Sequence, residues 1–233
     1  MADRVAINYL HAFLERHQIK KYKKGEIVVF QGEVPRSAYI VKSGTIKAYN
    51  LSVNGDEKPV AFYPEDSAFP ATWIYGKVSS ATFYYEVFSA EVELYVVERE
   101  EFVTFIKKST DLLYQELNRL LNDQLGGSLR LNALQHSRAS DKLVYTLHYL
   151  ALTHGKPANK DGEIEITLEL THQDFANLTG LTRETAATEL NKLKKQKIVD
   201  YGKHVPYRLN LKKLLQIQND QFIADLQPSK LLS

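Results

Sequence analysis

The 233-residue sequence contains no cysteine. That absence excludes disulfides, zinc–thiolate sites, iron–sulfur clusters and thiol redox sensing together. Long apolar runs are also missing: none approaches the roughly 18 residues of a membrane span. The first 17 residues, MADRVAINYLHAFLERH, are amphipathic and carry no signal-peptide core, so the expected location is the cytoplasm, with no membrane partner. P-loop, GxSxG and HExxH motifs and a cysteine nucleophile are all lacking, and no enzymatic activity is expected. Charge of one sign is scarce as well. A net +2 does not advertise nucleic-acid binding, so any such field must come from local clustering. At 44% hydrophobic and 25% charged, the chain is neither disordered nor fibrous, and its length allows two small domains.

The most informative stretch is Thr171 to Ile198, THQDFANLTGLTRETAATELNKLKKQKI. Thr171 is suited to cap a first short helix with Phe175, Ala176 and Leu178 on its apolar side, and Gly180 supplies a left-handed turn residue. A second helix restarts at once. Thr182 can cap it, and Leu181, Ala186, Leu190, Leu193 and Ile198 turn inward, leaving Arg183, Glu184, Ala187, Thr188 and Asn191 outward. From Arg183 to Lys197 five Lys or Arg stand against Glu184 and Glu189, a local basic excess suited to phosphates. A helix–glycine turn–helix also occurs in proteins that never touch DNA, and basic residues at a helix C-terminus complement its dipole. The flanks favour DNA. EIEITL (residues 163–168) alternates like a half-buried strand, and residues 198–201 and 205–209 read as two strands around Gly202, completing a winged helix-turn-helix.

Upstream, residues 4–18 read as a short helix. From Tyr22 to about Val97 short strands are broken by turns, with Gly25, Gly32, Gly44 and Gly55 at intervals typical of an antiparallel roll or barrel. Helical periodicity then runs from about Arg99 to Gln135, with leucines at coiled-coil-like spacings of four, three and four. Their cover is either a second copy of the chain or the chain's own roll; Leu113, Leu117, Leu120, Leu121, Gln124 and Leu131 are the candidate dimer residues. Residues 137–140 read as a hinge, with Ser140 capping a helix over 142–153, and residues 212–227 as an added C-terminal helix. The expected fold is α+β, in three parts. Residues 1–98 form the β-roll with its short N-terminal helix, 99–136 the connector and dimerisation helix, and 137–233 the winged domain.

A roll opened by GEIVVFQGEVPRSAYIVKSGTIKAY (residues 25–49), a long leucine-rich helix and a winged helix-turn-helix resemble, in that order, the CRP/FNR family of bacterial transcription regulators. FQGE at Phe30–Glu33, YIVKSG at Tyr39–Gly44 and LTRET at Leu181–Thr185 carry the resemblance most specifically. It implies a jelly roll like that of cyclic-nucleotide-binding domains, a parallel homodimer, and recognition helices in successive major grooves of a palindromic operator, with RNA polymerase as a further partner. By resemblance Arg183 and Glu184, with Ala187 and Thr188, face bases, Arg donating to guanine and Glu accepting from cytosine. Thr171, Thr182, Thr185, Asn191 and Lys192 face phosphates. Many members carry arginine where this chain has Thr188, which implies a different half-site.

The sensor half departs from the nucleotide-binding members. Phe69-Pro70 stands where they carry Gly-Glu, and no arginine occurs between Arg36 and Arg99, which leaves Lys77 a poor substitute for balancing a buried phosphate. None of the seven histidines lies in the roll, so haem and other cofactors are not expected. Aromatics are concentrated instead, with 13 of the 25 between Tyr49 and Phe105. Phe69, Trp73, Tyr75, Phe83, Tyr84, Tyr85 and Phe88 either line a pocket for an apolar or aromatic effector or fill it as core. By the resemblance Gly126 and Gly127 belong to the stretch of dimer helix that faces the effector pocket; such helix-interior glycines cost about 1 kcal/mol each, and they either permit close helix approach, a kink or room for a bulky ligand or inserted aromatic, or are simply tolerated. Two alternatives remain: a cyclic-nucleotide sensor with unconventional phosphate binding, and a protein-interaction module without specific DNA binding.

Overall fold

The computed structural model describes residues 9–157, 159, 162–202 and 205–218. The chain divides into two compact units, Met1–Leu120 and Leu121–Ser233. Among the described residues no helix is long and apolar enough to cross a membrane.

Among its described residues the first unit holds eight strands: β1 (Gln18–Lys23), β2 (Ile27–Val29), β3 (Ala38–Ser43), β4 (Ile46–Leu51), β5 (Glu57–Tyr63), β6 (Ala68–Phe69), β7 (Tyr84–Val87) and β8 (Glu91–Val97). They form two antiparallel sheets, ordered β1-β8-β3-β6 and β2-β7-β4-β5. A core of Val29, Tyr39, Val41, Ile46, Ala48, Phe69, Tyr85, Val87, Val92 and Leu94 draws on both sheets. Strand β3 is buried on both faces, because Ala38 and Ile40 alternate into a second core with Trp73, Ile74, Phe102, Phe105, Ile106 and Leu112. That second core packs under α1 (residues 9–14), α2 (Ala71–Ile74) and α3 (Arg99–Lys107).

The helix expected over residues 4–18 is corrected at its end. Gln18 already belongs to β1, because Gln18–Lys23 pairs along β8; residues 4–8 lie outside the described residues. The helical run from Arg99 to Gln135 is two helices, α3 and α4 (Thr110–Gln135). The break has a local cause: the Ser109 hydroxyl accepts from Leu112 N at 3.3 Å and starts α4 afresh.

In the second unit α5 (Ala139–His154), α6 (His172–Thr179), α7 (Arg183–Lys195) and α8 (Leu211–Gln218) accompany a sheet ordered β10-β11-β9, with β9 (Glu163–Glu165), β10 (Val199–Gly202) and β11 (Val205–Asn210). Ser140 is not the cap of α5. Arg138 occupies that position with extended φ −83° and ψ 137°, and Ala139 starts the helix, while the Ser140 hydroxyl turns to Asp141. Strand β9 is shorter than EIEITL suggested. Ile166 keeps a bridge to Gly155 and donates its amide to Tyr207 O, and at Thr167 both N–H and hydroxyl turn to His154 O, ending the ladder. Of the expected C-terminal helix, α8 covers Leu211–Gln218, and residues 219–227 lie outside the described residues. Leu147, Leu150, Phe175, Leu178, Ala186, Leu190, Val199 and Leu209 supply this unit's core.

Candidate nucleic-acid interface

Two caps and one glycine place α7. Thr171 Oγ1 accepts from Asp174 N at 3.2 Å, and Asp174 Oδ2 accepts from Thr171 N at 2.7 Å, a reciprocal capping box that starts α6. Gly180 closes α6 at φ 68° and ψ 24°, a left-handed conformation that glycine adopts without a Cβ clash. Thr182 Oγ1 then accepts from Thr185 N at 3.2 Å and opens α7. Ala186, Leu190 and Leu193 are buried, which turns Arg183, Glu184, Thr188, Asn191 and Lys192 to solvent; Thr185 and Ala187 are half-buried. The expected base-facing and phosphate-facing residues of α7 therefore lie outside its buried Ala186–Leu190–Leu193 side. Lys192 is paired with Glu189 at 2.6 Å.

The wing adds groups that sequence reading did not single out. Tyr201 of β10 donates its hydroxyl to Asn191 Oδ1 at 2.8 Å. The Lys194 ammonium lies over its ring at 4.7 Å from the centroid, and its backbone carbonyl accepts from the same lysine. His172 meets the ring edge-on at 5.6 Å; burial, and then the Arg183 charge, hold that imidazole below its usual pKa. Tyr207, buried and packed on Phe175, stacks beneath Tyr201 at 4.8 Å.

The seven sensor aromatics do not converge on one place. Phe69 and Tyr85 stack at 5.2 Å inside the roll, with Tyr39 at 5.5 Å on Phe69 and Phe83 packed against the same core. Trp73 and Tyr75 pack in the other core, beyond the β1-β8-β3-β6 sheet. Phe88 meets Phe62 edge to face at 5.0 Å, and Tyr84 stacks on Tyr49 at 5.3 Å. Tyr75 also donates to Glu116 of α4 at 2.6 Å, and Glu116 is gripped by Arg119. Arg99, one step beyond the arginine-free window, is brought to this segment: its Nε donates to Ile74 O at 3.0 Å and its guanidinium lies 5.0 Å over the Trp73 ring. On the far face of β4, Lys47 is buried between Glu57 at 2.5 Å and Glu86 at 3.3 Å, a pairing invisible to period-two reading.

On α4, Leu113, Leu117, Leu120, Leu121 and Leu131 are 37 to 59% exposed, and Gln124 is exposed too. The exposed positions 113, 117, 120, 124, 127, 131 and 134 alternate by four and three without interruption, so Gly127 falls on the leucine seam. Gly126 lies on another face and is buried. A Cβ there would meet Thr153 Cγ2 of α5 at 2.9 Å, whereas one at Gly127 would meet nothing within 4 Å.

Comparison with known proteins agrees with this architecture. Residues 19–109 match the cyclic nucleotide-binding domain family and residues 141–217 the Crp-like helix-turn-helix domain family. The chain belongs to the CRP/FNR family of transcription regulators. The global nitrogen regulator of Synechococcus elongatus is 28% identical over 182 residues, 78% of this chain and 81% of that protein. The regulator ArcR of Staphylococcus aureus is 27% identical over 199 residues, 83% of this chain and 82% of its own. A cyclic nucleotide-binding domain containing protein from Listeria monocytogenes shares the fold at TM-score 0.73 and 15% identity, covering 89% of this chain and 99% of that one. As a member of that family the chain is a DNA-binding transcription regulator. Within that family frame the wing residue Tyr201 was the least legible member of the interface. Its only sequence signal is an aromatic opening the wing after the basic run.

Proposed function

We propose that this CRP/FNR protein is a cytoplasmic homodimer that reads a palindromic operator through α7, with RNA polymerase as a further partner and with a roll interior filled by its own aromatics. The observation that carries the operator reading is the exposed N-terminal surface of α7 over a buried Ala186–Leu190–Leu193 side. Arg183 and Glu184 make the discriminating base contacts, each contributing about 1–3 kcal/mol, with Ala187 and Thr188 beside them. Thr171, Thr182 and Thr185 stand at the capped starts of α6 and α7, where the helix dipole favours a phosphate, and Asn191 and Lys192 extend that grip. The seam on α4 supplies the two-fold axis, which the operator mirrors.

The filled-roll reading rests on Phe69, fully buried between Tyr39 and Tyr85 where the nucleotide-binding members carry their phosphate motif. Selection of bound sequences from a random DNA library by ligand-free protein tests both parts. An enriched palindrome, relaxed by Arg183→Ala, is the expected result; no enrichment without a small molecule contradicts the filled roll. Calorimetry with cyclic AMP, cyclic GMP and cyclic di-GMP is expected to show no binding, and a signal from any of them supports the effector-gated alternative. Absence of any salt-sensitive DNA binding supports the protein-interaction alternative.

A further inference from the structure

Asn191 stands on the exposed surface of α7 with a carboxamide that has one acceptor and one donor end. A phosphate oxygen can use only the donor end. An unrestrained asparagine presents either end, and a contact then requires the side chain to be ordered at the moment of binding.

The structure removes that ambiguity. The Tyr201 hydroxyl donates to Asn191 Oδ1 at 2.8 Å, which occupies the acceptor end and leaves the amide hydrogens for another partner. Tyr201 is itself held firmly: Tyr207 stacks beneath it, His172 abuts its edge, and Lys194 covers its face while donating to its carbonyl. Partial burial raises the phenol above its ordinary pKa, so it stays protonated and remains a donor. One wing residue thus ties the recognition helix to the start of α6, whose Thr171 is among the phosphate-facing group.

We infer that Tyr201 is a positioning residue for DNA binding, orienting the Asn191 carboxamide so that its amide donates to a backbone phosphate. This rests on the operator reading proposed above. A phosphate contact carries no sequence information, so its loss weakens all DNA alike. Because asparagine is neutral, its contact releases no counterion and leaves the salt dependence untouched.

The experiment is a double-mutant cycle on the full-length protein, using a palindromic duplex taken from the library selection and a scrambled duplex of equal length. Tyr201→Phe keeps the ring and its stacking. It is expected to weaken binding to both duplexes by about three- to tenfold, the range of one hydrogen bond, without changing the selected motif. Asn191→Ala is expected to lose as much, and the double variant no more than Asn191→Ala alone. The slope of log Kd against log salt stays that of the wild type in all three. A Tyr201→Phe protein that binds like wild type overturns the inference, and so does a loss that persists undiminished in the Asn191→Ala background, since the hydroxyl would then act by itself. A reduced salt slope overturns it too, by showing that Tyr201 acts through Lys194. Wild-type protein without salt-sensitive binding to either duplex defeats the operator reading, and the inference with it.

Discussion

Gly126 of α4 faces Thr153 of α5 so closely that a Cβ on the glycine would stand 2.9 Å from the threonine methyl. Thr153 cannot easily yield, because its hydroxyl donates to Tyr149 O at 2.8 Å and fixes the rotamer, and the Tyr149 ring is 3.4 Å from the same point. The neighbouring Gly127 meets nothing. Two adjacent glycines therefore have different reasons to exist.

Gly126→Ala is expected to lower thermal stability, with crowding against Thr153 outweighing the roughly 1 kcal/mol of helix propensity that alanine brings. Gly127→Ala brings the propensity without the clash and should stabilise an isolated protomer. Calorimetric unfolding of both variants decides the matter; equal shifts of the same sign would contradict the difference in packing.

The leucine seam predicts a second outcome. Leu117→Arg places a charge on the exposed run of α4 without touching either core. It should turn the proposed dimer into a monomer by sedimentation, with the fold retained by circular dichroism. Loss of the second half-site then weakens operator binding by at least about 100-fold, the lower range for linked sites. A variant that stays dimeric would remove α4 as the seam.

Features specified within a few residues are legible in the sequence. The Thr171 cap, the Gly180 turn and the Thr182 restart each depend on local backbone chemistry, and each stands where its residue type predicts. Ser140 shows the limit of that reasoning: Arg138 took the cap position by backbone geometry alone, without a side-chain bond. The aromatic set shows another. Phe69 and Trp73 are four residues apart yet belong to different cores, because β6 ends and α2 begins between them, and composition cannot tell which side of a sheet a ring will occupy. Pairings across long stretches, Tyr201 with Asn191 or Tyr75 with Glu116, have no period to betray them.

The Tyr75–Glu116 bond gives a third prediction. Burial and the Glu116 carboxylate push the Tyr75 phenol far up, so it is a neutral donor at any accessible pH. Tyr75→Phe should destabilise the first unit by about 1 kcal/mol, the net worth of one such bond, because Glu116 keeps Arg119 as a partner. Hydrogen exchange at the amides around α2 and the start of α4 should rise together. Faster exchange at only one of the two segments would mean that the bond does not couple them.

His154 sets a pH window. It is buried at the end of α5 against Tyr149, and burial pushes its pKa from 6.5 down to about 4. Below about pH 6.5 the unfolded chain takes up a proton that the native ring refuses until about pH 4, so the native state loses stability as pH falls through that interval. The slope is about 1.4 kcal/mol per pH unit, on the order of 3 kcal/mol across the window, and above pH 6.5 the contribution is fully present. His172, also held low, adds in the same direction, so the wild-type profile alone does not isolate His154. His154→Phe keeps a ring against Tyr149 and removes the titration. Measured from pH 7.5 to 4.5, the thermal midpoint of the wild type should fall more steeply than that of His154→Phe. Parallel profiles would show that this imidazole is already protonated in the native state or reaches water there.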